Sequence, residues 1–289
     1  MDIILPKTAG FCMGVKRAVN LALAAPKKYN KPVYTYGHLI HNPQVLARLK
    51  EIGISPLTDL SIQKPGVVII RAHGVPPDVF TKIETAGFTI LNATCPRVIE
   101  VQKIIDKYTS QGYAVIIVGD KDHPEVIGLL GHAGKKGYPA NTLTALKKLP
   151  LFNRAIIVAQ TTQNKNFYQT VEKWASFHHP DYLFFNTICD STDRRQSEVL
   201  TLSKHVEAIV VIGGHSSGNT KRLAEIAKQS GIAVFHIETE AELNINDLKK
   251  FKSIGITAGA STPDWVITEV YRALAQLKET FSNNMVKLS

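Results

Sequence analysis

This sequence of 289 residues contains no long apolar run and only 3 cysteines. No run approaches the roughly 20 apolar residues of a membrane-spanning helix, so we expect no membrane partner. The first residues lack the basic start and the small-residue cleavage site of a secretory signal, so MDIILP is interpreted as the first strand of the mature fold. An odd number of cysteines in such a chain argues against a disulfide framework and for a reducing cytoplasm.

The charge of the chain is unbalanced, with 34 Lys and Arg against 24 Asp and Glu and a net charge of +10. Such a basic chain favours anionic partners, which are nucleic acid, a phosphorylated substrate or an acidic protein. The basic residues are spread along the chain, and no zinc-finger or RNP signature occurs. Only the net charge therefore supports a nucleic-acid partner, and we expect none.

Short apolar runs recur through the chain, each followed by a polar loop and a helical pattern. Nine runs are predicted as strands, three in each of three similar units: 3–5, 33–36, 67–70, 88–91, 114–118, 155–158, 182–185, 209–212 and 253–256. Continuous β-branched runs between helices predict an α/β fold of small parallel sheets flanked by helices. We expect lobes at 14–95, 96–189 and 190–289, with the strand in 1–13 joining the third.

Two arrangements of these three lobes are compatible with the pattern. Around a pseudo-threefold axis, the loops beyond the strand ends converge on one cavity, where ligands of parallel sheets bind. In a linear array, each lobe would need its own surface and site. About 90 residues are few for a doubly wound sheet with a complete site, which favours the pseudo-threefold arrangement.

The three cysteines stand at matching points, in the segments GFCMGVKRA, NATCPRVIEV and NTICDSTDRR. A lone cysteine is more often a small buried hydrophobic residue than a ligand. However, Cys12, Cys95 and Cys189 each lie at a strand-to-helix turn, where backbone N–H groups stabilise the thiolate that binds metal. Three thiolates suit zinc with a histidine or an iron–sulfur cluster. Zinc ligands usually come in close pairs, so a four-iron cluster with one iron lacking a cysteine fits these distant thiols better.

Polar side chains follow the predicted strands. His41, His73 and His123 each fall three to five residues beyond a strand, and this repetition favours a functional role. Ser217 and Ser261 precede helical patterns, where a capping role would suffice without any ligand. The loop set as a whole contains His41, Asn42, His73, His123, Gln160, Thr161, Thr162, Ser216, Ser217, Asn219, Ser261 and Thr262. Such donors suit a diphosphate, whose oxygens only accept hydrogen bonds.

One carboxylate accompanies this loop set. Glu125, in the segment HPEV, is therefore the natural proton donor of a site formed there. A glutamate in the first turn of a helix also stabilises that helix without any catalytic role. Both interpretations remain open at this point.

Taken in chain order, GFCMGVKRA, HLIHNP, RAHGV, NATCP, HPEV, QTT, CDSTDRRQ, SSGNTKRL and TAGASTPD resemble the motifs of the 4-hydroxy-3-methylbut-2-enyl diphosphate reductase (LytB) family. The resemblance covers nearly the whole chain. It implies a trefoil-like arrangement of the lobes around one [4Fe-4S] cluster, ligated by Cys12, Cys95 and Cys189, with one iron lacking a cysteine ligand. Gly218 stands where many members have serine, so its backbone N–H would replace a hydroxyl, and Met13 stands where a smaller residue is common.

The resemblance also implies the roles of the loop residues. The substrate's diphosphate would be held by His41, His73, His123, Ser217, Gly218, Asn219 and Ser261. Glu125 and Thr161 would serve the alcohol end and its proton supply. The implied reaction is a reductive dehydroxylation of the allylic diphosphate to isopentenyl and dimethylallyl diphosphate.

The implied reaction needs an external electron donor, ferredoxin or flavodoxin, and both are acidic proteins that suit the charge of +10. Two alternatives are open, the first also an enzyme and the second from another class. One is a hydratase or hydrolase that uses a cluster or zinc without redox chemistry. The other is a basic nucleic-acid-binding protein with a structural cluster.

Overall fold

The computed structural model describes residues 1–61 and 64–286, with side chains described through Leu277 in the last helix. The chain divides into two compact units. Unit 1 comprises Met1–Cys12, His41–Pro43 and Asp190–Ser289. Unit 2 comprises Met13–Ile40 and Gln44–Cys189.

Within the described residues, the strands in chain order are β1 (Asp2–Ile4), β2 (Val33–Tyr36), β3 (Ser55–Pro56), β4 (Val67–Ile70), β5 (Thr89–Asn92), β6 (Ala114–Val118), β7 (Gly137–Ala140), β8 (Ala155–Ala159), β9 (Leu183–Phe184), β10 (Ala208–Ile212), β11 (Ala233–Ile237) and β12 (Ser253–Ala258). The helices are α1 (Met13–Tyr29), α2 (Pro43–Glu51), α3 (Pro77–Thr85), α4 (Pro96–Ser110), α5 (Pro124–Ala133), α6 (Leu143–Lys147), α7 (Lys165–His178), α8 (Asp190–Leu202), α9 (Gly218–Gln229), α10 (Ile245–Leu248) and α11 (Asp264–Val286). Short 3₁₀ turns occur at Gly134–Lys136 and Glu240–Glu242. Among the described helices, none combines the length and apolarity needed to cross a bilayer.

The strands form three four-stranded sheets with the same topology. Starting from the strand that precedes a cysteine, the orders are β1-β12-β10-β11 in unit 1, and β5-β4-β2-β3 and β9-β8-β6-β7 in unit 2. All the strand pairs are parallel. The predicted α/β class, with three small parallel sheets flanked by helices, is confirmed. The trefoil-like arrangement and the lobe boundaries stay predictions.

The central strands form the core because both of their faces are buried. In unit 1, Val210 and Ile212 of β10 pack in the cluster that contains α11 residues such as Val270. Ile209 and Val211 point the opposite way, into a cluster with α8 and α9. In unit 2, β6 alternates in the same manner between a cluster with α7 and a cluster with α4 and α5. This alternation explains why continuous apolar runs, rather than every second residue, mark these strands.

The prediction of three strands per sheet was wrong, since each sheet has a fourth strand at the edge opposite the cysteine: β3, β7 and β11. An edge strand has a neighbouring strand on one side only and is less buried, so its sequence need not be a continuous apolar run. Pro56 lies in β3 and Pro139 lies in β7, and proline is tolerated in a sheet mainly at such edges. The residues of β11 are mostly half-buried and include His236.

Candidate functional site

The three cysteines occupy equivalent positions in the three sheets. Each follows an edge strand, β1, β5 or β9, and lies directly before a helix, α1, α4 or α8. In each case the cysteine N–H donates to the carbonyl of the second residue after the neighbouring strand: Cys12 to Ala260 (3.2 Å), Cys95 to Ala72 (2.9 Å) and Cys189 to Thr161 (2.9 Å). All three are partly exposed thiols without a disulfide among the described residues. Three equivalent thiols are a donor set suited to a thiolate-ligated metal group.

In unit 2, a buried carboxylate is tied to one of these cysteine turns. Glu125 is 2% exposed in the first turn of α5. Its Oε1 accepts the Thr161 N–H at 2.6 Å, and its Oε2 accepts the Thr161 hydroxyl at 2.8 Å. The Thr161 carbonyl in turn accepts the N–H of Cys189. Thr161 therefore connects the only acid of the predicted site to a cysteine-bearing turn.

Two predicted histidines of unit 2 lie against each other at the start of α5. The rings of His73 and His123 meet edge to face, with centroids 5.2 Å apart. His123 caps α5, because its Nδ1 accepts the Glu125 N–H at 3.1 Å. A ring that accepts through Nδ1 carries its proton on Nε2 when neutral, so His123 Nε2 is a hydrogen-bond donor.

The other predicted polar residues lie in unit 1. Ser217 Oγ caps α9 by accepting the Thr220 N–H at 3.3 Å, which confirms the capping role. The Ser261 hydroxyl donates to the His41 carbonyl at 3.2 Å. Ser261 follows Ala260, whose carbonyl accepts the N–H of Cys12. The loop after β12 is therefore hydrogen-bonded both to the turn that carries Cys12 and to the backbone of His41.

Asn219 is a buried donor in the same unit. It is 6% exposed in the first turn of α9, and its Nδ2 has no hydrogen-bond partner among the described residues. Gly218, the residue before it, is the first residue of the helix. A buried amide donor beside a helix N-terminus is suited to an anion, because both present N–H groups.

The polar loop residues repeat from sheet to sheet at fixed distances from the strands. His41, His123 and Ser217 are each the fifth residue after β2, β6 and β10. Likewise, a second set lies at the third residue after β4, β8 and β12: His73, Thr162 and Ser261. All six belong to the predicted loop set, but only five were assigned a role; Thr162 was not, and its hydroxyl accepts a hydrogen bond from Gln160 at 3.1 Å.

Sequence reasoning also missed Arg195, which shapes the turn before Cys12. Arg195 is 3% exposed in α8, and its Nη2 donates to the Gly10 carbonyl at 2.5 Å. Gly10 has a φ of 102°, a conformation that favours glycine. One signal was present: Arg195 is four residues before buried Val199 and seven before Leu202, so it shares their helix face, whereas the adjacent Arg194 is exposed.

His236 lies next to the loop that leads to Ser217. Its Nε2 is 2.9 Å from the Gly213 carbonyl, and its ring centroid is 4.5 Å from that of His215. Burial lowers the pKa of His236 from the usual 6.5, and His215 lowers it further, while the Gly213 carbonyl opposes the shift. The neutral ring is therefore favoured beside this loop.

The structure thus divides the predicted site residues into two sets. Unit 2 contains Cys95, Cys189, His73, His123, Glu125 and Thr161. Unit 1 contains Cys12, His41, Ser217, Gly218, Asn219 and Ser261.

Known proteins resemble this chain over nearly its full length. The family model described as LytB protein matches residues 3–275. A 4-hydroxy-3-methylbut-2-enyl diphosphate reductase from Alkaliphilus oremlandii is 40% identical over 272 residues, which are 93% of this chain and 98% of the relative. The solved structure of the E-1-hydroxy-2-methyl-but-2-enyl-4-diphosphate reductase from Plasmodium falciparum has a TM-score of 0.90 at 25% identity, over 95% of this chain and 87% of that one. Another, of (E)-4-hydroxy-3-methyl-but-2-enyl diphosphate reductase, the terminal enzyme of the non-mevalonate pathway, has a TM-score of 0.68 at 41% identity, over 96% of this chain and 100% of that one.

Proposed function

The chain belongs to the LytB protein family, and we propose that it catalyses the reductive dehydroxylation of 4-hydroxy-3-methylbut-2-enyl diphosphate. The products are isopentenyl and dimethylallyl diphosphate, and the reaction is the last step of the non-mevalonate pathway. The observation that carries most weight is the contact of buried Glu125 with Thr161, whose carbonyl accepts the N–H of Cys189. It joins a buried acid to the backbone N–H of a cysteine in one hydrogen-bonded chain. The relatives give no support to a non-redox hydratase or hydrolase, or to a nucleic-acid-binding protein.

We propose Cys12, Cys95 and Cys189 as the ligands of one [4Fe-4S] cluster. Their chemistry fits, because all three are thiols at equivalent turns with the same backbone hydrogen bond. Three thiolates for four irons leave one iron without a cysteine ligand. When bound, such a cluster supplies single electrons and a Lewis-acidic iron.

The diphosphate of the substrate is assigned to seven donors: His41, His73, His123, Ser217, Gly218, Asn219 and Ser261. The unpartnered Nδ2 of Asn219 and the N–H of Gly218 at the start of α9 support this assignment. Ser217 accepts a hydrogen bond in its capping role, so its own hydroxyl hydrogen remains available to a phosphate oxygen. His123 contributes the donor Nε2 described above.

Glu125 is assigned the proton supply. In the ionised state, the Glu125 carboxylate accepts the hydrogen bond of the Thr161 hydroxyl. When Glu125 is protonated, its O–H donates to Thr161 Oγ1 instead, and the threonine hydroxyl donates onward to the leaving oxygen. The reaction consumes two electrons and two protons. One proton leaves with the hydroxyl as water, and the other is added to the allylic carbon skeleton.

The two electrons need an external donor. Ferredoxin or flavodoxin is the proposed partner, because both are acidic and the chain has a net charge of +10. The cytoplasm is the proposed compartment, because thiolate ligands need reducing conditions.

Anaerobic purification followed by iron and sulfide analysis and a turnover assay tests this function. We expect a brown protein with about four irons per chain that consumes the allylic diphosphate only in the presence of a reductant. Replacing Cys12, Cys95 or Cys189 by Ser should each lower the iron content. A colourless zinc protein that transforms a phosphorylated substrate without a reductant would contradict the proposal. So would salt-sensitive binding of arbitrary RNA without reductive turnover.

A further inference from the structure

Helix α1 approaches the Cys95 side chain unusually closely. A Cβ placed on Gly14 would lie closer than 3.0 Å to Cys95 Sγ and 3.2 Å from Cys95 Cβ. Real Cβ atoms essentially never show a contact under 3.0 Å. Gly14 is the second residue of α1 and is buried, and both residues belong to unit 2. The missing side chain of Gly14 therefore provides the space that the sulfur occupies.

The same helix holds the backbone on the N-terminal side of Cys95. Arg17 Nη1 donates to the Thr94 carbonyl at 3.1 Å, and Nη2 donates to the Asn92 carbonyl at 3.2 Å. The Thr94 N–H donates to Asn92 Oδ1 at 3.0 Å, which closes the turn. The Arg17 guanidinium is therefore hydrogen-bonded to two carbonyls of the segment that ends at Cys95.

Gly14 and Arg17 act from one face of α1, since residues three apart are neighbours on a helix surface. From the other side, the Cys95 N–H is bonded to the Ala72 carbonyl at 2.9 Å. The turn at Cys95 is thus restrained in its backbone by Arg17 and by Ala72, while Gly14 leaves open the space in which the sulfur lies.

We propose that Gly14 and Arg17 are positioning residues that hold Cys95 in the geometry in which its sulfur ligates the cluster. The inference rests on the proposed function, because it takes Cys95 as a cluster ligand. Without a cluster, rotation of the Cys95 side chain can relieve the contact between its sulfur and an added methyl group, which leaves only the 3.2 Å contact with Cys95 Cβ. With the cluster bound, the sulfur is fixed, so the added methyl group opposes ligation directly.

The test compares Gly14→Ala with Gly128→Ala in the full-length protein. Gly128 is a buried glycine of α5 in the same unit, and a Cβ there would meet nothing closer than 3.5 Å. An alanine in a helix normally stabilises relative to glycine, so Gly128→Ala should raise Tm by about 1–3 °C and keep the cluster. For Gly14→Ala we expect a folded apoprotein without that gain, a shifted reduction potential, and cluster loss to a chelator about 10- to 100-fold faster than in the wild type.

Arg17 is tested with Arg17→Met, Arg17→Lys and the control Lys16→Met, since Lys16 is exposed on the same helix. Arg17→Met should also accelerate cluster loss by about tenfold, and Arg17→Lys should recover part of the loss because it restores one donor. Lys16→Met should match the wild type. Equal cluster lifetimes for Arg17→Met and Lys16→Met would overturn the role of Arg17.

Failure of this inference is distinguishable from failure of the proposed function. A wild-type protein that cannot be loaded with iron and sulfide, or a Cys95→Ser variant that keeps all its iron, contradicts the cluster assignment. A loaded wild type with an unchanged lifetime and reduction potential in Gly14→Ala contradicts the positioning role alone. If Gly14→Ala lowers Tm, the double variant with Cys95→Ala removes the clashing sulfur and should recover most of the loss; no recovery would also refute the contact.

Discussion

Replacement of Glu125 by Gln separates proton supply from substrate binding. Glutamine keeps an oxygen to accept the Thr161 N–H, and its NH₂ group can donate to Thr161 Oγ1 in place of the carboxylate that accepts there now. Both hydrogen bonds survive, but neither is assisted by charge. The expected loss of stability is about 1–2 kcal/mol, the difference between charged and neutral hydrogen bonds. For a chain of this size, Tm should fall by about 2–6 °C.

The effect on turnover should be much larger. A glutamine cannot release a proton, and general acid catalysis contributes about 10²–10⁴-fold to a rate. Affinity for the diphosphate should change by less than about tenfold, because the substrate is an anion and Glu125 is not one of its donors. The rate constant therefore falls while the dissociation constant is nearly preserved.

The measurements are anaerobic turnover with a chemical reductant, substrate binding by calorimetry, and iron content of the same preparation. Glu172→Gln, at an exposed position of α7, is the matched control and should behave as the wild type. Equal losses in affinity and rate at full iron content would refute the assignment of Glu125 as proton donor. Turnover within a few-fold of the wild type would refute it as well.

Three further predictions follow from unit 1. Arg195→Met removes the donor to the Gly10 carbonyl before Cys12, so it should cost about 2–3 kcal/mol in stability and lower the iron content. The control Arg194→Met, at an exposed position, should change neither. Equal unfolding curves and iron contents for the two variants would contradict this. Asn219→Ala should raise KM about tenfold with little change in kcat, and an unchanged KM would remove Asn219 from the diphosphate donors. Because the pKa of His236 is lowered by folding, the unfolded chain binds more protons below about pH 7.5, so stability should decrease as the pH falls through 6.5. His236→Gln should flatten this dependence of Tm, and an unchanged dependence would contradict the reasoning.

The sequence predicted the central strands well because their environment is simple. Every residue of β10 is fully buried, so both faces demand apolar side chains and the run Ile209–Ile212 stands out. The edge strands were missed for the opposite reason. Pro139 in β7 and His236 in β11 are tolerated because one side of each strand has no partner in the sheet.

Within the candidate site, the sequence predicted which residue types recur but not what each one contacts. The repeat places Cys12, Cys95 and Cys189 at matching turns, and the structure adds the shared N–H to carbonyl bond. No local pattern distinguishes a serine that caps from one that donates to a carbonyl, as Ser217 and Ser261 do. The Ser217 cap is local, whereas the contact of Ser261 is with His41, which is distant in the chain and is not encoded by spacing alone.

The bond between each cysteine N–H and the strand next to it determines how the thiol is placed. Ile70 pairs with Asn92 at the ends of β4 and β5, and two residues later Ala72 receives the N–H of Cys95. The thiol position is therefore set by strand register rather than by the flexibility of a loop. Loss of a single residue between Asn92 and Cys95 would leave the sheet paired yet withdraw the sulfur from its place, whereas length changes at the opposite ends of the strands would be tolerated.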